Sequence, residues 1–256
     1  MLRNLAAQAK AIWPEESRLF DRYTLPAELR ILDVGCGSGE ISRRLLQRYP
    51  NATLVGVDIL EGPLYHARAE CAEFGPRARF QQGDAFALAF DSGAFDLVVC
   101  RHVTQAIPEP ERMLEELARV CRSGGWLHVL SEDYQMLHFP EGALDPDRLW
   151  REGVGVLARN THTDERVGRK TWSMMKRIGL RDLRVDYAVV DTLRTPRETF
   201  AEIIRAWRDG YSDAIAAHSL LDRSTILGLF DQAIASIQDP NAYAVWHVPI
   251  VSGQRP

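Results

Sequence analysis

Short apolar runs alternate with one-sided helical stripes through the first half of the chain. The apolar runs, which are typical of buried strands, occupy residues 31–34, 53–58, 79–82, 95–100 and 126–130. The stripes, with apolar residues three and four positions apart, occupy residues 41–49, 63–74 and 110–122. This alternation predicts an α/β protein with a parallel sheet covered by helices.

The second half of the chain does not continue this alternation. Its predicted elements are, in order, helices at 145–157 and 168–178, a strand at 181–191, a helical pair at 195–239 and a final strand at 243–252. The chain is therefore expected to end in two strands that enclose a helical insertion.

Composition limits the classes of function. The 256 residues carry a net charge of −4, with 46% apolar and 26% charged side chains, which is ordinary for a soluble domain. This length suits one α/β domain with an appended subdomain. The charge balance gives no basic surface for nucleic acid, and no apolar run approaches the roughly 20 residues of a membrane span. We therefore expect no nucleic-acid partner and no membrane partner.

The cysteines and the N-terminal residues indicate the compartment. The four cysteines are scattered without a C-x-x-C pair, and no metal-ligand spacing is visible. The first residues lack the long apolar run of a signal peptide. We expect a cytoplasmic protein with reduced thiols and no bound metal.

A glycine-rich turn after the first strand is the strongest functional signal. Gly35 and Gly37 suit positive φ angles and allow a ligand to approach the backbone. The dinucleotide pattern G-x-G-x-x-G would need a third glycine at Glu40 or at Ser42, so this spacing fails. Asp33 and Glu40 also place negative charge beside the turn, which suits an ammonium or sulfonium ligand better than a pyrophosphate.

Two stretches carry a resemblance to a known family. Leu32-Asp33-Val34-Gly35-Cys36-Gly37-Ser38-Gly39 resembles motif I of the class I S-adenosylmethionine (SAM) methyltransferases. The loop 101–108, the helix after it and Ser123-Gly124-Gly125 resemble small-molecule methyltransferases near the ubiquinone and menaquinone biosynthesis enzymes, with Ser123 in place of a proline. The resemblance covers residues 31–131. It implies a Rossmann-like, doubly wound sheet of seven strands, order 3-2-1-4-5-7-6, with the last strand antiparallel.

The resemblance also implies a division of the chain. Residues 1–30 would form an N-terminal helical lid, with a simple packing helix as the alternative, and 31–131 the SAM-binding core. Residues 132–180 would form a helical cover, and 181–256 the last two strands with the helical pair 195–239 inserted between them. The expected reaction is methyl transfer from SAM to a small-molecule acceptor, with S-adenosylhomocysteine (SAH) as the product.

The expected cofactor contacts follow the strand ends. Asp58, at the end of the second strand, is placed to bind a ribose diol, and Ile59 suits the face of an adenine ring. The resemblance implies that the carboxylate of Asp84 accepts a hydrogen bond from the adenine amino group. Arg101 would hold the methionine carboxylate through its forked guanidinium group. The remaining predicted cofactor residues are Asp33, Gly35, Cys36, Gly37 and Ala85.

The residues that would act on the acceptor are less constrained. If the acceptor must lose a proton, His102 after the fourth strand is the nearest candidate base, with Asp133, Tyr134 and His138 as alternatives. Aromatic residues in the helical segments predict a compact, partly apolar or aromatic acceptor. They are Tyr134, Trp150, Trp172, Trp207 and Tyr211.

Two other functions stay open. An NAD(P)-dependent oxidoreductase would share the fold and Asp58, but it conflicts with the glycine spacing, and the chain has no Tyr-x-x-x-Lys pair. A non-catalytic SAM-binding protein, or a partner subunit that keeps the fold, agrees with the same motifs. The attacking atom of the acceptor and homodimer formation are also open.

Overall fold

The computed structural model describes residues 2–140 and 142–256, with side chains from residue 6 onward. The strands are β1 (Arg30–Val34), β2 (Thr53–Asp58), β3 (Ala78–Gln82), β4 (Phe95–Arg101), β5 (Cys121–Leu130), β6 (Leu137–His138), β7 (Arg181–Asp191) and β8 (Val245–Gln254). The α-helices are α1 (Leu2–Glu16), α2 (Glu40–Arg48), α3 (Glu61–Glu70), α4 (Pro110–Val120), α5 (Gly155–Thr161), α6 (Gly168–Arg177), α7 (Arg197–His218) and α8 (Arg223–Gln238).

All these strands join one mixed sheet. Its order is β3-β2-β1-β4-β5-β8, with β7 and the short β6 both paired to β8. Strands β1 to β5 run parallel, whereas β8 is antiparallel to β5, β6 and β7. Apart from β6, this is the predicted seven-stranded order with its antiparallel last strand, so the predicted fold class is confirmed. The sequence does not predict β6 because two residues carry no periodicity.

Neighbouring residues of the central strands supply two separate cores. Leu32 and Val98 pack in one cluster with α4 and α6, whereas Ile31 and Leu97 pack in another with α2. All four side chains are fully buried. Successive residues of a strand point to opposite faces, so one apolar run covers both faces of the sheet. The carboxyl edge of the sheet is left for the ligand sites.

The helical pair α7 and α8 is part of a third core. Phe200 on α7 and Phe230 on α8 share a buried cluster with Trp246 and Ile250 on β8. This cluster also takes in Ile12 on α1. The insertion is therefore fixed to the sheet by apolar burial, and it brings the N-terminal helix to the same end of the molecule.

The segment predicted as a single helix at 145–157 differs in the structure. Residues Leu149–Val154 form a π-helical turn, and α5 begins only at Gly155. A side chain at Gly153 would place Cβ 2.9 Å from Ile215 Cγ2 on α7. The wide turn thus lies tightly against α7, which a period of 3.6 does not predict. No described helix has both the length and the apolar composition of a membrane span.

Candidate cofactor and acceptor site

The carboxyl ends of the parallel strands open into a cavity of about 370 Å³. This is where ligands bind in doubly wound sheets, at the point where strand order reverses beside β1. We call it the cofactor cavity. Of the predicted cofactor residues, it is lined by Gly35, Gly37, Asp58, Ile59, Asp84, Ala85 and Arg101.

The glycine turn between β1 and α2 has little room for side chains. Gly35 and Gly37 have φ angles of 70° and 52°, in the region that favours glycine. A Cβ on Gly35 would lie 2.3 Å from Val103 Cγ2. The turn therefore needs glycine at position 35 both for its backbone angle and for its contact with the loop after β4.

The N–H groups of this turn are already used within the protein. The N–H groups of Gly35 and Cys36 donate to the carbonyl of Val57 at 2.8 and 3.1 Å, and that of Gly37 donates to Asp58 Oδ2 at 2.9 Å. A pyrophosphate needs such N–H groups free to receive its oxygens. The geometry therefore disfavours a dinucleotide, in agreement with the glycine spacing.

Asp58 is held rigidly at the end of β2. Its second oxygen, Oδ1, accepts the N–H of Leu60 at 2.9 Å, so both carboxylate oxygens have a backbone donor. Each oxygen can still accept a hydrogen bond from a hydroxyl group of a ligand in the cavity. Ile59, between them, exposes 62% of its surface although it is apolar. A carboxylate that is held in place beside an exposed apolar side chain suits a nucleoside, with the ribose hydroxyls at the carboxylate and the base against the apolar side chain.

Asp84 has a structural role in addition to its place in the cofactor cavity. Its Oδ1 accepts the N–H of Phe86 at 2.9 Å, which closes a turn after β3. The carboxylate is exposed and lines the cavity. The turn fixes its direction, and its remaining lone pairs are available to a donor on a ligand.

Asp33 and Cys36 lie beside the main cavity. Both line a small adjoining cleft of about 30 Å³, together with Arg101. Asp33 is buried and accepts the hydroxyl of Ser42 at 2.6 Å. Burial raises the pKa of Asp33 to about 6, despite that hydrogen bond. Burial also raises the pKa of the Cys36 thiol, which makes this cysteine a poor nucleophile.

Arg101 joins the cofactor cavity to helix α1. Its Nε donates to Glu16 Oε1 at 2.8 Å, and His128 Nε2 lies 3.0 Å from the same oxygen. Burial alone would raise the pKa of Glu16, but the charge of Arg101 and the hydrogen bond from His128 hold it at about 2. Arg101 Nη2 is buried and has no hydrogen-bond partner among the described residues. A ligand carboxylate would satisfy it.

A second cavity of about 330 Å³ adjoins the first; we call it the acceptor cavity. Both cavities are lined by His102, Gln105, Ala106, Tyr134, Trp207 and Tyr211. Trp150 and Phe230 line the acceptor cavity alone. The structure thus brings four of the five predicted aromatic residues together where the cavities meet or in the acceptor cavity itself.

Trp172 is the predicted acceptor residue that lies elsewhere. It is on α6, exposes 41% of its surface and lines neither cavity. The buried face of α6 is formed by Thr171, Met174 and Met175. Trp172 is one position further along the helix from Thr171, so it turns about 100° away from that face.

His102 lies at the junction of the two cavities in an unusual backbone conformation. Its φ is 57°, which is uncommon for a residue other than glycine. Its Nδ1 lies 2.6 Å from Glu132 Oε1, and Glu132 is buried. Its Nε2 is buried and has no hydrogen-bond partner within the described part of the chain. A carboxylate on one ring nitrogen leaves the other free to accept a proton.

The other candidate bases are placed less well for proton transfer. Asp133 forms an ion pair with Arg169, in which Asp133 Oδ2 lies 2.6 Å from Arg169 Nε. His138 Nδ1 lies 3.6 Å from Asp147 Oδ2. Tyr134 is at the junction, but burial and the neighbouring Glu132 raise its pKa well above 10. Its hydroxyl therefore stays protonated, and no phenolate is available to act as a base.

Glu132 and Gln8 were missed by the sequence reasoning. Gln8 lines the cofactor cavity and its Nε2 donates to Glu132 Oε1 at 3.3 Å. The position of Glu132, two residues after a buried strand and level with His102, is a signal that could have found it. Gln8 has no comparable signal, because only the packing of α1 brings it there.

Sequence comparison relates the residues around the cofactor cavity to a known family. Residues 31–125 match the family described as "Methyltransferase domain". Over 113 residues the chain is 39% identical to the demethylmenaquinone methyltransferase of Thermus thermophilus, a match that covers 44% of this chain and 51% of that protein. The chain spans about half the length of the first curated relatives that it matches.

Solved structures share the fold over nearly the whole chain. Phosphoethanolamine N-methyltransferase 2 of Haemonchus contortus, in complex with S-adenosyl-L-methionine, has a TM-score of 0.63 at 17% identity, over 100% of this chain and 56% of that one. The cyclase SpnF has a TM-score of 0.61 at 20% identity, over 94% of this chain and 80% of that one. In fold, and in the sequence of residues 31–125, this chain is similar to the class I SAM-dependent methyltransferases.

Proposed function

We propose that the protein transfers a methyl group from SAM to a small-molecule acceptor. The observation that carries the proposal is the meeting of two cavities at His102, Tyr134 and Trp207, one at the carboxyl edge of the sheet and one between the helices. When bound, SAM supplies an electrophilic methyl group on a sulfonium. The protein's task is to align the acceptor with that group and to exclude water.

The cofactor cavity supports distinct roles for its charged groups. Asp58 would accept the two ribose hydroxyls, with Ile59 against the adenine and Asp84 at its amino group. Arg101 would hold the methionine carboxylate through the guanidinium end that Glu16 leaves free. Asp33, in the adjoining cleft, would face the ammonium group. This distribution puts the carboxylate and the ammonium group of the ligand each opposite a protein charge of the other sign.

We further propose His102 as the general base. With Nδ1–H donated to Glu132, Nε2 can accept a proton from an acceptor at the junction of the cavities. Glu132 would act as a positioning residue, since it fixes the ring's tautomer and orientation. Gln8 and Tyr134 surround the same carboxylate and support this arrangement.

The cover assigned to the N-terminal segment fits the contacts of α1. Gln8 lines the cofactor cavity, and Glu16 pairs with Arg101. We propose that α1 closes over the bound cofactor, as a lid over residues 1–30. Residues 132–180 and 195–239 would cover the acceptor. The cytoplasmic location and a homodimer stay predictions, the first supported by four free, buried cysteines.

Titration calorimetry followed by mass spectrometry tests the proposal. SAH should bind the protein, whereas NAD should show at least about tenfold weaker binding, because the N–H groups of the turn are occupied. Incubation with SAM and a metabolite extract should then give a product heavier by one methylene unit. Equal binding of NAD would favour the oxidoreductase. Tight SAH binding without any methylated product would favour a non-catalytic SAM-binding protein.

A further inference from the structure

The walls of the acceptor cavity are aromatic and carry an acidic group. Trp150, Trp207 and Tyr211 line it, together with the carboxylate of Glu165. None of the described residues that line it is a lysine or an arginine. Aromatic faces are electron-rich and attract cations. The cavity is therefore built to receive a neutral or positively charged molecule.

Glu165 is a buried carboxylate with an incomplete set of partners. Its side chain is only 8% exposed. The nearest described cation is Arg166, whose Nε is 3.4 Å from Glu165 Oε1 and whose side chain is 43% exposed. None of the side-chain hydrogen bonds in the described residues ends on this carboxylate; the backbone carbonyl of Glu165 accepts the N–H of Tyr134 at 2.9 Å. Neither of its oxygens is among the fully buried, unpartnered atoms of the described residues, so the carboxylate faces the cavity and a ligand ammonium can reach it.

The chain keeps room for this carboxylate. A Cβ on Gly155, at the start of α5, would lie 3.2 Å from Glu165 Oε1. The glycine therefore lets the carboxylate approach the helix and stay inside the cavity. Glu165 lines only the acceptor cavity, whereas His102 lines both cavities. The two groups would thus contact different parts of one acceptor.

We propose that the acceptor is an aromatic compound that carries an alkylammonium group and a protic nucleophile; this rests on the proposed methyl transfer. Its ammonium group binds Glu165, its ring packs among Trp150 and Trp207, and its hydroxyl reaches His102. The hydroxyl proton passes to His102 Nε2 as the oxygen takes the methyl group from the sulfonium, which leaves as a neutral thioether. Charge neutralisation at Glu165 occurs in the ground state, so it selects the acceptor rather than accelerating transfer.

An anionic acceptor is disfavoured by the same geometry. Its carboxylate would lie in the acceptor cavity beside Glu165, where none of the described lining residues is a lysine or an arginine. The cation Arg101 lines the adjoining cofactor cavity, where its Nε is paired with Glu16. Burying the ligand carboxylate beside that of Glu165 is unfavourable, and contacts with the aromatic walls do not offset this free energy. Acceptors whose recognition depends on carboxylate or phosphate groups should therefore bind weakly.

Three probes of similar shape test the charge preference. Tyramine has an ammonium group, 4-ethylphenol has none, and 3-(4-hydroxyphenyl)propanoate has a carboxylate in the same place. Each is titrated into protein saturated with SAH. Tyramine should bind at least about tenfold more tightly than 4-ethylphenol, in line with a charge-assisted hydrogen bond. The propanoate should bind more weakly than 4-ethylphenol.

Two variants assign the preference to one residue. Glu165→Gln should bring the affinities for tyramine and 4-ethylphenol to within about threefold of each other, since the charge is removed and the shape kept. Glu152→Gln is the matched control. Glu152 pairs with Arg148, with Oε2 2.6 Å from Nε, lines neither cavity, and its substitution should leave the tyramine preference intact.

The result for the wild-type protein is decisive even if the Glu165 variant does not fold. Failure of tyramine to bind more tightly than 4-ethylphenol, including failure of both to bind, overturns the proposal. An unchanged preference in a folded Glu165→Gln variant also overturns its assignment to Glu165. The initial SAH titration distinguishes failure of the proposed acceptor class from failure of the proposed methyl transfer. If SAH itself does not bind, the proposed methyl transfer fails as well.

Discussion

The cofactor and acceptor cavities adjoin one another but are assembled in different ways. The cofactor cavity is lined by residues at or directly after the ends of four parallel strands, such as Asp58 at the end of β2 and Arg101 at the end of β4. The acceptor cavity takes Tyr134 from the segment after β5, Trp150 from the π-helical turn and Trp207 from α7. One site is a property of the sheet, and the other is a property of how the helices pack.

This difference explains what each cavity shares with other proteins. The family match ends at residue 125, before any residue that lines the acceptor cavity alone. Similar folds with low identity include a methyltransferase and a cyclase. A shared fold therefore does not decide which reaction is catalysed, and we propose that in this chain the reaction depends on the residues of the acceptor cavity.

The largest effect is expected at the junction of the cavities. His102→Gln should lower kcat by about 10²- to 10⁴-fold, because a general base contributes about that much. SAH affinity, measured by calorimetry, should change far less. Glu132→Gln should lower kcat less than this and also shift the pH–rate profile, since it alters the orientation and protonation of the ring. Unchanged kcat in His102→Gln would mean that the acceptor needs no base from this residue.

A comparable effect, on stability, is expected where α1 meets the sheet. Glu16→Ala leaves Arg101 buried without its carboxylate, and breaking such a pair costs about 3–5 kcal/mol of unfolding free energy. Urea denaturation at pH 7 measures it. Glu15→Ala, which removes a carboxylate that accepts only the N–H of Val189 at 2.7 Å, is the neighbouring control. Equal losses in both variants would show that the Arg101 pair contributes nothing particular.

The sequence predicts the sheet and most of the cofactor cavity because both depend on local order. Asp58 and Arg101 lie within a residue of a strand end, and parallel strands bring such residues to one edge. Glu132 was not predicted as the partner of His102, since the two are 30 residues apart and only strand pairing aligns them. Glu165 and Gln8 depend on helix packing. Trp172 shows that aromatic content does not tell which face of a helix is buried.

Deletion of the helical pair would not separate the two cavities cleanly. Phe200 and Phe230 pack against Trp246 and Ile250, so removing residues 197–235 would expose the core on β8. Point substitutions in the cavities avoid this difficulty. They change a ligand contact and leave the shared apolar cluster intact.

A moderate effect is expected at the ribose site. Asp58→Ala should weaken SAH binding by about 1.5–3 kcal/mol, the value of a hydrogen bond to a charged group. Asp58→Asn removes the charge but keeps the size of the side chain and one oxygen that can accept the N–H of Gly37 or of Leu60. Comparison with Asp58→Ala therefore separates loss of the charge from loss of the side chain. Calorimetry gives both affinities. If neither variant weakens SAH binding, the ribose is held by other residues, and the end of β2 does not supply this contact.

The last effect is a pH dependence at Asp33, which should lower stability and raise SAH affinity as pH rises. The folded-state pKa is raised to about 6 from 3.8, so the folded protein holds a proton that the unfolded chain has lost between these values. Stability should therefore fall as pH rises from about 4 to 6, by up to about 3 kcal/mol in the limit. A ligand ammonium favours the ionised carboxylate, so SAH affinity should rise about tenfold from pH 5 to 7.

Asp33→Asn removes both dependences if Asp33 is their source. Its amide oxygen can still accept the hydroxyl of Ser42, so the packing around the turn is preserved. The variant should be more stable than the wild type at pH 7 and bind SAH with little change between pH 5 and pH 7. Urea denaturation and calorimetry at both pH values measure this. If SAH affinity in the variant keeps the full pH dependence, another group faces the ammonium, and the cleft beside the glycine turn does not belong to the cofactor site.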